Sequence, residues 1–288
     1  MMLRKISEEI REILDEKRKS LDLSFIEEDH IYFMRNLDGE IRNDFPSVSK
    51  VMKLFYEEFD SEGISFKKAK GDLEVQQQLL KEWKGAADYS VNMGSRVHYF
   101  LEKRIIERFG DYKDVRQPIF ECDFEQTLRS DAMISAGTRY IDLMVERGGE
   151  LLDTEIVLGD PTLGYVGQPD KVWLFENKEK TEYGFVCSDW KTNRKKNFEA
   201  SYFTKKMYSP FQKLDNTALG HYFTQLPFYC KLLLKMVEGT KYENIKFYGC
   251  IVVHLDDNGN FEEYRVPKDV INTIMDMNMG DHLKKLKK

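Results

Sequence analysis

Two aspartates in the middle of the chain, Asp170 and Asp189, are the residues best suited to chemistry by type and spacing. Residues 164–196 read G-Y-V-G-Q-P-D-K-V-W-L-F-E, then N-K-E-K-T-E, then Y-G-F-V-C-S-D-W-K-T-N-R-K-K. The β-branched and aromatic residues on either side of the polar segment predict an antiparallel hairpin. If its turn is centred between residues 179 and 180, Asp170 lies opposite Asp189, and directly opposed side chains are about 4.5–5.5 Å apart.

Lys191 is predicted to join the two acids. Strand side chains alternate between faces, so Lys191 shares a face with Asp189 while Trp190 points the other way. Two carboxylates held this close resist joint ionisation unless a cation lies between them. Oxygen ligands without sulfur favour Mg²⁺ or Mn²⁺. The alternative, an ordinary hairpin with both aspartates in solvent, stays open at this point.

The composition indicates a folded protein with a substantial core. The 288 residues are 41% hydrophobic and 13% aromatic, which suits one elaborated domain or one domain with a helical lobe. No apolar run approaches the roughly 18–20 residues of a membrane span, and the N-terminal sequence does not resemble a targeting signal. We therefore expect a cytoplasmic protein with no membrane partner.

The cysteines give no metal-binding pattern. Cys122, Cys187, Cys230 and Cys250 lie far apart and form no C-x-x-C pair. Zinc and iron–sulfur sites are therefore poorly supported, and reduced, separate thiols are expected.

Residues 191–213, called here the basic aromatic segment, are the strongest candidate for contact with nucleic acid. The net charge of −6 argues mildly against such a partner, but this segment has seven basic residues and one acid, Glu199. Its basic residues are Lys191, Arg194, Lys195, Lys196, Lys205, Lys206 and Lys213, and its aromatic residues are Phe198, Tyr202, Phe203, Tyr208 and Phe211. Positive charge suits phosphates, and aromatic rings suit unpaired bases.

Periodic apolar residues predict the elements that precede the hairpin. Residues 3–19 have the pattern of an amphipathic helix, and a hairpin with a turn at residues 38–39 follows. Ser47 is a plausible cap of a short helix. A helical pattern then runs over residues 71–106, with a polar break near residues 85–92.

Within that helical pattern, Gly94, His98 and Glu102 lie at successive i, i+4 positions. His98 and Glu102 therefore project together, and glycine at position 94 allows another group to approach the helix closely. An exposed helix pair without a function is the alternative interpretation.

Two further groups extend the candidate site. A strand over residues 150–159 that turns near residue 162 brings Glu155 alongside Asp170, within one or two residues of register. A regular helix is predicted over residues 215–239, and its His221, Gln225 and Tyr229 line one stripe. A buried strand, a partner strand and a terminal helix complete the chain.

Four short motifs, in this order, resemble RecB-type nucleases of the PD-(D/E)xK superfamily. They are G-x-x-x-H-x-x-x-E at 94–102, G-x-x-D at 167–170, D-x-K-T at 189–192 and Q-x-x-x-Y at 225–229. The P-S-V-S at 46–49 also resembles segments of phage exonucleases and of the mitochondrial genome maintenance exonuclease group. The similarity spans roughly residues 46–234.

The resemblance implies an α/β fold with a mixed sheet. Residues 151–288 would form a restriction-endonuclease-like PD-(D/E)xK core, and residues 1–150 a mainly helical N-terminal region that contributes the His98 helix. A bacterial or phage-encoded enzyme of the cytoplasm is expected, with no iron–sulfur cluster, because the cysteines do not reproduce that framework.

The resemblance also implies roles for the candidate residues. His98, Asp170, Asp189 and the backbone carbonyl of Trp190 would bind Mg²⁺ or Mn²⁺, and Lys191 would position or activate the attacking water. The supporting residues would be Glu155, as a less constant acid, and Gln225 with Tyr229, which orient Lys191 and the strand. Nucleic-acid contacts are expected from Arg194, Lys195, Lys196, Tyr202, Lys205, Lys206 and His221.

These observations favour a metal-dependent DNA exonuclease that acts on single strands or DNA ends, alone or with a recombination or replication protein. Two alternatives stay open. One is a structure-specific or site-specific endonuclease with the same residues. The other is a protein of the same fold that binds DNA ends without cutting them.

Overall fold

A five-stranded mixed sheet forms the centre of the structure, a computed structural model that describes residues 2–27, 29–110, 120–179, 181–199 and 204–284. The strands are β1 (Ser24–Ile26), β2 (Ile31–Arg35), β3 (Ile41–Arg42), β4 (Glu150–Thr154), β5 (Leu158–Asp160), β6 (Tyr165–Gly167), β7 (Lys171–Glu176), β8 (Tyr183–Lys191), β9 (Lys246–Leu255) and β10 (Phe261–Arg265). The helices are α1 (Met2–Ser20), α2 (Val48–Met52), α3 (Ser61–Lys68), α4 (Leu73–Phe109), α5 (Phe124–Glu146), α6 (Lys195–Phe198), α7 (Ala218–Val237), α8 (Lys268–Asp276) and α9 (Met279–Leu283).

The central sheet has the strand order β10-β9-β8-β7-β4. Strands β8 and β9 are parallel, and the other neighbouring pairs are antiparallel. A parallel pair needs a crossover connection, which α7 provides. The expectation of an α/β fold with a mixed sheet and a mainly helical N-terminal region is therefore confirmed.

The predicted hairpin is confirmed in its register. Lys171 pairs with Ser188 and Val172 with Cys187, so the same register extended by one residue brings Asp170 opposite Asp189. This pairing requires the turn between residues 179 and 180 that the sequence predicts. The end of the hairpin thus holds the two acids at neighbouring positions of β7 and β8.

Helices cover both faces of the sheet. On one face, α4 and α5 bury Trp173 and Trp190. On the other face, α1 and α7 bury Val172 and Cys187. Because side chains alternate along β7 and β8, one face of the hairpin packs against the His98 helix, and the other packs against the helix of Gln225 and Tyr229.

Helix α4 is continuous, and the predicted break near residues 85–92 is wrong. All its buried residues lie between Met93 and Ile105, so the earlier half is an exposed projection. A helical stretch without a continuous apolar stripe reads as a break, although local bonds such as that from Gln78 to Glu82 support the helix. Gly85 costs such a helix only about 1 kcal/mol relative to alanine.

Lys231 joins α7 to the C-terminal helices, which the sequence analysis treated as one element. Its Nζ donates to the carbonyl oxygens of Ile274, Met275 and Met277 at 2.9, 3.0 and 2.6 Å. These carbonyls lie at the end of α8, where the last helical carbonyls have no partner within the helix. The ammonium group therefore stabilises the point at which α8 ends.

We expect the Lys231→Met variant to lose about 1–3 kcal/mol of unfolding free energy, because three charged hydrogen bonds to partly buried carbonyls are lost. Urea denaturation would measure this loss. Lys235→Met is the matched control, since Lys235 lies one turn later and pairs only with exposed Glu238, a contact worth about 0–1 kcal/mol. Equal losses in the two variants would contradict this role of Lys231.

Candidate metal centre

Asp170, Asp189 and Lys191 meet at the end of the central hairpin. Lys191 Nζ lies 2.8 Å from Asp189 Oδ2, and Asp189 is buried with 4% exposure. Asp170 Oδ2 accepts a hydrogen bond from the backbone N–H of Trp190 at 3.2 Å. The structure therefore brings together the three side chains that the hairpin pattern placed in one cluster.

His98 reaches the same cluster from α4. Its Nε2 lies 3.2 Å from the carbonyl oxygen of Trp190, and its Nδ1 lies 3.4 Å from Asp170 Oδ2. One turn earlier, a Cβ at Gly94 would lie 3.2 Å from Thr192 Oγ1. The absence of a side chain at position 94 thus lets the helix approach the end of β8, as the sequence predicted for a close contact at this glycine.

Glu155 completes the cluster through an unusual backbone conformation. It has a positive φ of 49°, which is rare for a residue with a side chain. Its N–H donates to the Asp170 carbonyl at 3.0 Å, and its own carbonyl accepts from Gln168 Nε2 at 2.8 Å. These two bonds hold Glu155 beside Asp170, where a third carboxylate was expected.

Ligand atoms of His98, Glu155 and Asp170 all lie within 4.8 Å of one another, and the hydrogen bonding around His98 leaves a ring lone pair that a cation could accept. Burial lowers the pKa of His98 to about 4, so the ring is neutral at pH 7 and carries one N–H. One N–H cannot serve both the Trp190 carbonyl and Asp170. In either tautomer, a ring lone pair therefore faces an oxygen lone pair.

The acids likewise include an oxygen atom without a partner in the described part of the chain. Asp189 Oδ1 is buried and has no hydrogen-bond partner among the described residues. Burial and the Asp170 carboxylate raise the pKa of Asp189 well above its usual range, and burial with Asp170 does the same for Glu155. Nitrogen and oxygen donors without sulfur suit Mn²⁺ or Mg²⁺. The residues present therefore fit a hard divalent ion.

Lys171 is a charged residue of this site that the sequence analysis missed. It is 2% exposed, and its Nζ lies 3.4 Å from Asp170 Oδ2 and 4.0 Å from the centroid of the Trp190 ring. Although burial opposes ionisation of Asp170, Lys171 and then His98 lower the pKa of this carboxyl. A lysine that opens an otherwise apolar strand, K-V-W-L-F, is the signal that could have revealed it.

Lys191 packs against α7 through a residue that was not predicted. Its Nζ lies 4.2 Å from the ring centroid of Tyr222. Although burial acts in the opposite direction, the Asp189 carboxylate raises the pKa of Lys191 and favours the ammonium form. Gln225 Nε2 donates to Tyr229 Oη at 2.8 Å, so these two residues bond to each other.

Tyr229 explains the glycine of the G-x-x-D motif. A Cβ at Gly167 would lie 2.5 Å from Tyr229 Cε1 and 2.7 Å from Val48 Cγ2. The ring of Tyr229 therefore occupies the space of a side chain at position 167. Burial and the nearby Asp189 carboxylate raise the pKa of Tyr229. The Tyr229 hydroxyl beside the acid cluster therefore stays protonated.

The basic aromatic segment differs from its prediction in charge. Besides Lys191, four of its lysines make ion pairs at 2.6–3.2 Å: Lys195 with Glu262, Lys205 with Glu57, Lys206 with Asp215 and Lys213 with Asp269. Acids from other parts of the chain thus offset the local excess of positive charge, which a count within one segment cannot detect. Arg194 is exposed and has no ion pair among the described residues.

The aromatic residues of this segment are divided between core and surface. Phe198 and Phe211 are buried in the core, with 0% and 3% exposure, and are not available for stacking with bases, whereas Tyr208 is 48% exposed. Tyr202, Phe203 and the side chain of Lys196 lie outside the described residues. The expected row of stacking aromatics is therefore wrong for Phe198 and Phe211.

His221 is turned toward the protein. Its Nε2 lies 2.6 Å from Asn216 Oδ1, and its ring stacks on Tyr56 with centroids 3.7 Å apart. Burial lowers the pKa of His221 to about 4, so it carries no positive charge at pH 7. The expectation that His221 contacts nucleic acid is not supported, because its Nε2 bonds to Asn216 and its ring stacks on Tyr56.

Comparison with known proteins adds no family assignment. No family model matches the chain, and no curated protein matches it. Among the helices of the described residues, none has both the length and the apolar character that a membrane crossing requires.

Proposed function

We propose that the chain is a metal-dependent nuclease of the PD-(D/E)xK type, acting as an exonuclease on single-stranded DNA or DNA ends. The observation that carries this proposal is the convergence of His98, Glu155 and Asp170 ligand atoms within 4.8 Å of one another, next to the Asp189–Lys191 pair. The mixed sheet with its acids at the ends of neighbouring strands supports the motif resemblance.

Mn²⁺ or Mg²⁺ would be held by His98, Asp170, Asp189 and the Trp190 carbonyl, with Glu155 as a further acid. When bound, such an ion polarises a phosphodiester and lowers the pKa of a coordinated water. Lys191 would orient the attacking water or stabilise negative charge on the phosphate, because its ammonium is held next to Asp189. Lys171 would keep Asp170 ionised and in place.

We expect Mn²⁺ to raise the melting temperature of the protein at lower concentrations than Mg²⁺, because imidazole suits transition metals better than Mg²⁺. An ion at 100 times its dissociation constant stabilises the folded state by about 2.7 kcal/mol, which corresponds to roughly 5–10 °C for a protein of this size. Differential scanning fluorimetry with each ion after EDTA treatment would measure this shift.

His98→Gln should reduce the preference for Mn²⁺, while the exposed His30→Gln control should retain it. Equal responses to the two ions in the wild-type protein, or an unchanged preference in His98→Gln, would contradict the placement of His98 at the metal.

The nuclease proposal is tested with end-labelled linear and closed circular DNA, single-stranded and duplex, in Mn²⁺, Mg²⁺ or EDTA. An exonuclease degrades linear substrates from their ends, leaves circles intact and stops in EDTA. Cutting of circles would assign an endonuclease. Tight DNA binding without cleavage in either ion would contradict the nuclease proposal and favour a protein that binds DNA ends without cutting them.

A further inference from the structure

A groove of about 740 Å³ runs from the metal centre along the exposed half of α4. His98, Trp190 and Lys191 lie at one end of it, and Trp83 and Tyr89 lie on α4 farther along. With a rise of about 1.5 Å per helical residue, Trp83 and His98 are roughly 22 Å apart along the helix axis. The groove is therefore long enough for several nucleotides and opens onto the candidate catalytic residues.

The wall opposite α4 is the segment that follows β8. Arg194 lies there, and its guanidinium is the cation of the basic aromatic segment that has no ion pair among the described residues. The neighbouring Asn193 is held firmly, because its carbonyl accepts from His254 Nε2 at 2.6 Å and its Oδ1 accepts from Tyr222 Oη at 3.2 Å. This wall thus presents the exposed guanidinium of Arg194 next to a backbone that is anchored at Asn193.

The α4 wall offers aromatic and apolar surface instead. Trp83 is partly exposed, and its ring contacts Phe59, with centroids 5.5 Å apart, and Lys68, whose Nζ lies 5.3 Å from the indole ring. Val91 is 64% exposed although it is a large apolar residue. Residues 85–87, Gly-Ala-Ala, have small side chains and leave space on the helix surface between Trp83 and Tyr89.

We propose that this groove binds a single strand of nucleic acid, with its bases against Trp83 and Tyr89 of α4 and its phosphates beside Arg194 and Lys191. One charged wall and one aromatic wall match the two sides of an unpaired strand, since phosphates take cations and bases stack on rings. A duplex hides its base faces and would not use the α4 wall. The inference rests on the proposed nuclease function, because the groove leads to that centre.

Binding of a fluorescein-labelled oligothymidylate, measured by fluorescence anisotropy at constant salt in EDTA, tests the groove without cleavage. Each stacked base contributes about 1–3 kcal/mol, so Trp83→Ala should weaken binding by about tenfold or more. Trp83→Phe should retain most of the affinity, because it keeps a ring. Arg194→Gln should weaken binding and also reduce its salt dependence.

Lys205→Ala is the matched control from the basic aromatic segment, since Lys205 is paired with Glu57, and it should bind the strand as the wild-type protein does. Circular dichroism checks the folding of each variant. Wild-type affinity in both Trp83→Ala and Arg194→Gln, or a larger loss of affinity in Lys205→Ala than in these variants, would contradict strand binding in this groove. No strand binding by the wild-type protein would also overturn it.

A separate measurement distinguishes this inference from the proposed function. Hydrolysis of a thymidine p-nitrophenyl phosphodiester by the wild-type protein in Mn²⁺ needs the metal centre and not the groove. If the wild-type protein binds the strand through Trp83 but hydrolyses neither this ester nor DNA, the nuclease proposal fails while the groove stands.

Discussion

Replacing Asp170 by asparagine is expected to reduce DNA cleavage on the order of 10³-fold or more, and to remove the stabilisation by Mn²⁺. Asp170 lies within reach of His98, Trp190 N and Lys171, so it links the helix, the neighbouring strand and the internal cation. An amide at this position is a weaker ligand with no charge, and loss of electrostatic stabilisation at a reacting phosphate has effects of this size.

The measurements for Asp170→Asn are the initial rate on linear single-stranded DNA and the melting temperature with and without Mn²⁺. Asp189→Asn should give the same pair of losses. Asp131→Asn is the control, because Asp131 is 57% exposed on its side chain and pairs with Arg96, away from the acid cluster. Normal cleavage by either Asp170→Asn or Asp189→Asn would exclude the nuclease assignment.

Lys191→Ala is expected to reduce cleavage by about 10²–10³-fold while the response to Mn²⁺ is retained. Lys191 carries positive charge next to Asp189, so its removal takes away a group that would stabilise charge on the phosphate. The same change leaves the metal ligands in place and removes a cation that competes with the metal for Asp189. The affinity for Mn²⁺ should therefore be equal or higher.

Comparing the two kinds of variant separates a metal ligand from a residue that acts on the substrate. The concentration of Mn²⁺ at half-maximal thermal stabilisation is measured for Lys191→Ala and for Asp170→Asn. Loss of the Mn²⁺ response in Lys191→Ala would show that Lys191 supports the ion site structurally. Cleavage by Lys191→Ala at the wild-type rate would show that Lys191 takes no part in the reaction.

The centre of the site could be predicted because it depends on local rules. Two strands joined by a short polar turn have few registers that keep their apolar residues buried, so the pairing of Asp170 with Asp189 followed from the turn position. The position of Glu155 followed in the same way from the next turn. For Gly94 the sequence predicted a close approach by another group, and the structure identifies that group as Thr192.

Other features depend on long-range contacts that no local pattern contains. The acids that neutralise Lys195 and Lys205 come from β10 and from the segment after α2, far away in sequence. Phe198 looked like a surface ring within a basic stretch, but Tyr264 and His254 enclose it. Lys171 looked like a strand end, and only the folded chain shows its ammonium over Trp190.

The break predicted near residues 85–92 of α4 is wrong for a different reason. Residues 85–92 lack the apolar stripe by which a helix is recognised, because most of them are exposed. The helix persists since its other half is fixed on the sheet through Val97 and Leu101. Hydrophobic periodicity detects a helix by its buried face, so an exposed segment of a helix is not recognised from this pattern.

The origin of the site from two distant parts of the chain has a consequence for fragments. The imidazole comes from α4, whereas every carboxylate of the cluster follows α5 in the sequence. A truncated protein beginning at α5 would keep the acids and both lysines, yet it would lose the nitrogen ligand and the part of the cover over Trp173 and Trp190 that α4 provides. This fragment should aggregate. Adding the N-terminal fragment should restore a soluble fold only if the two fragments are refolded together.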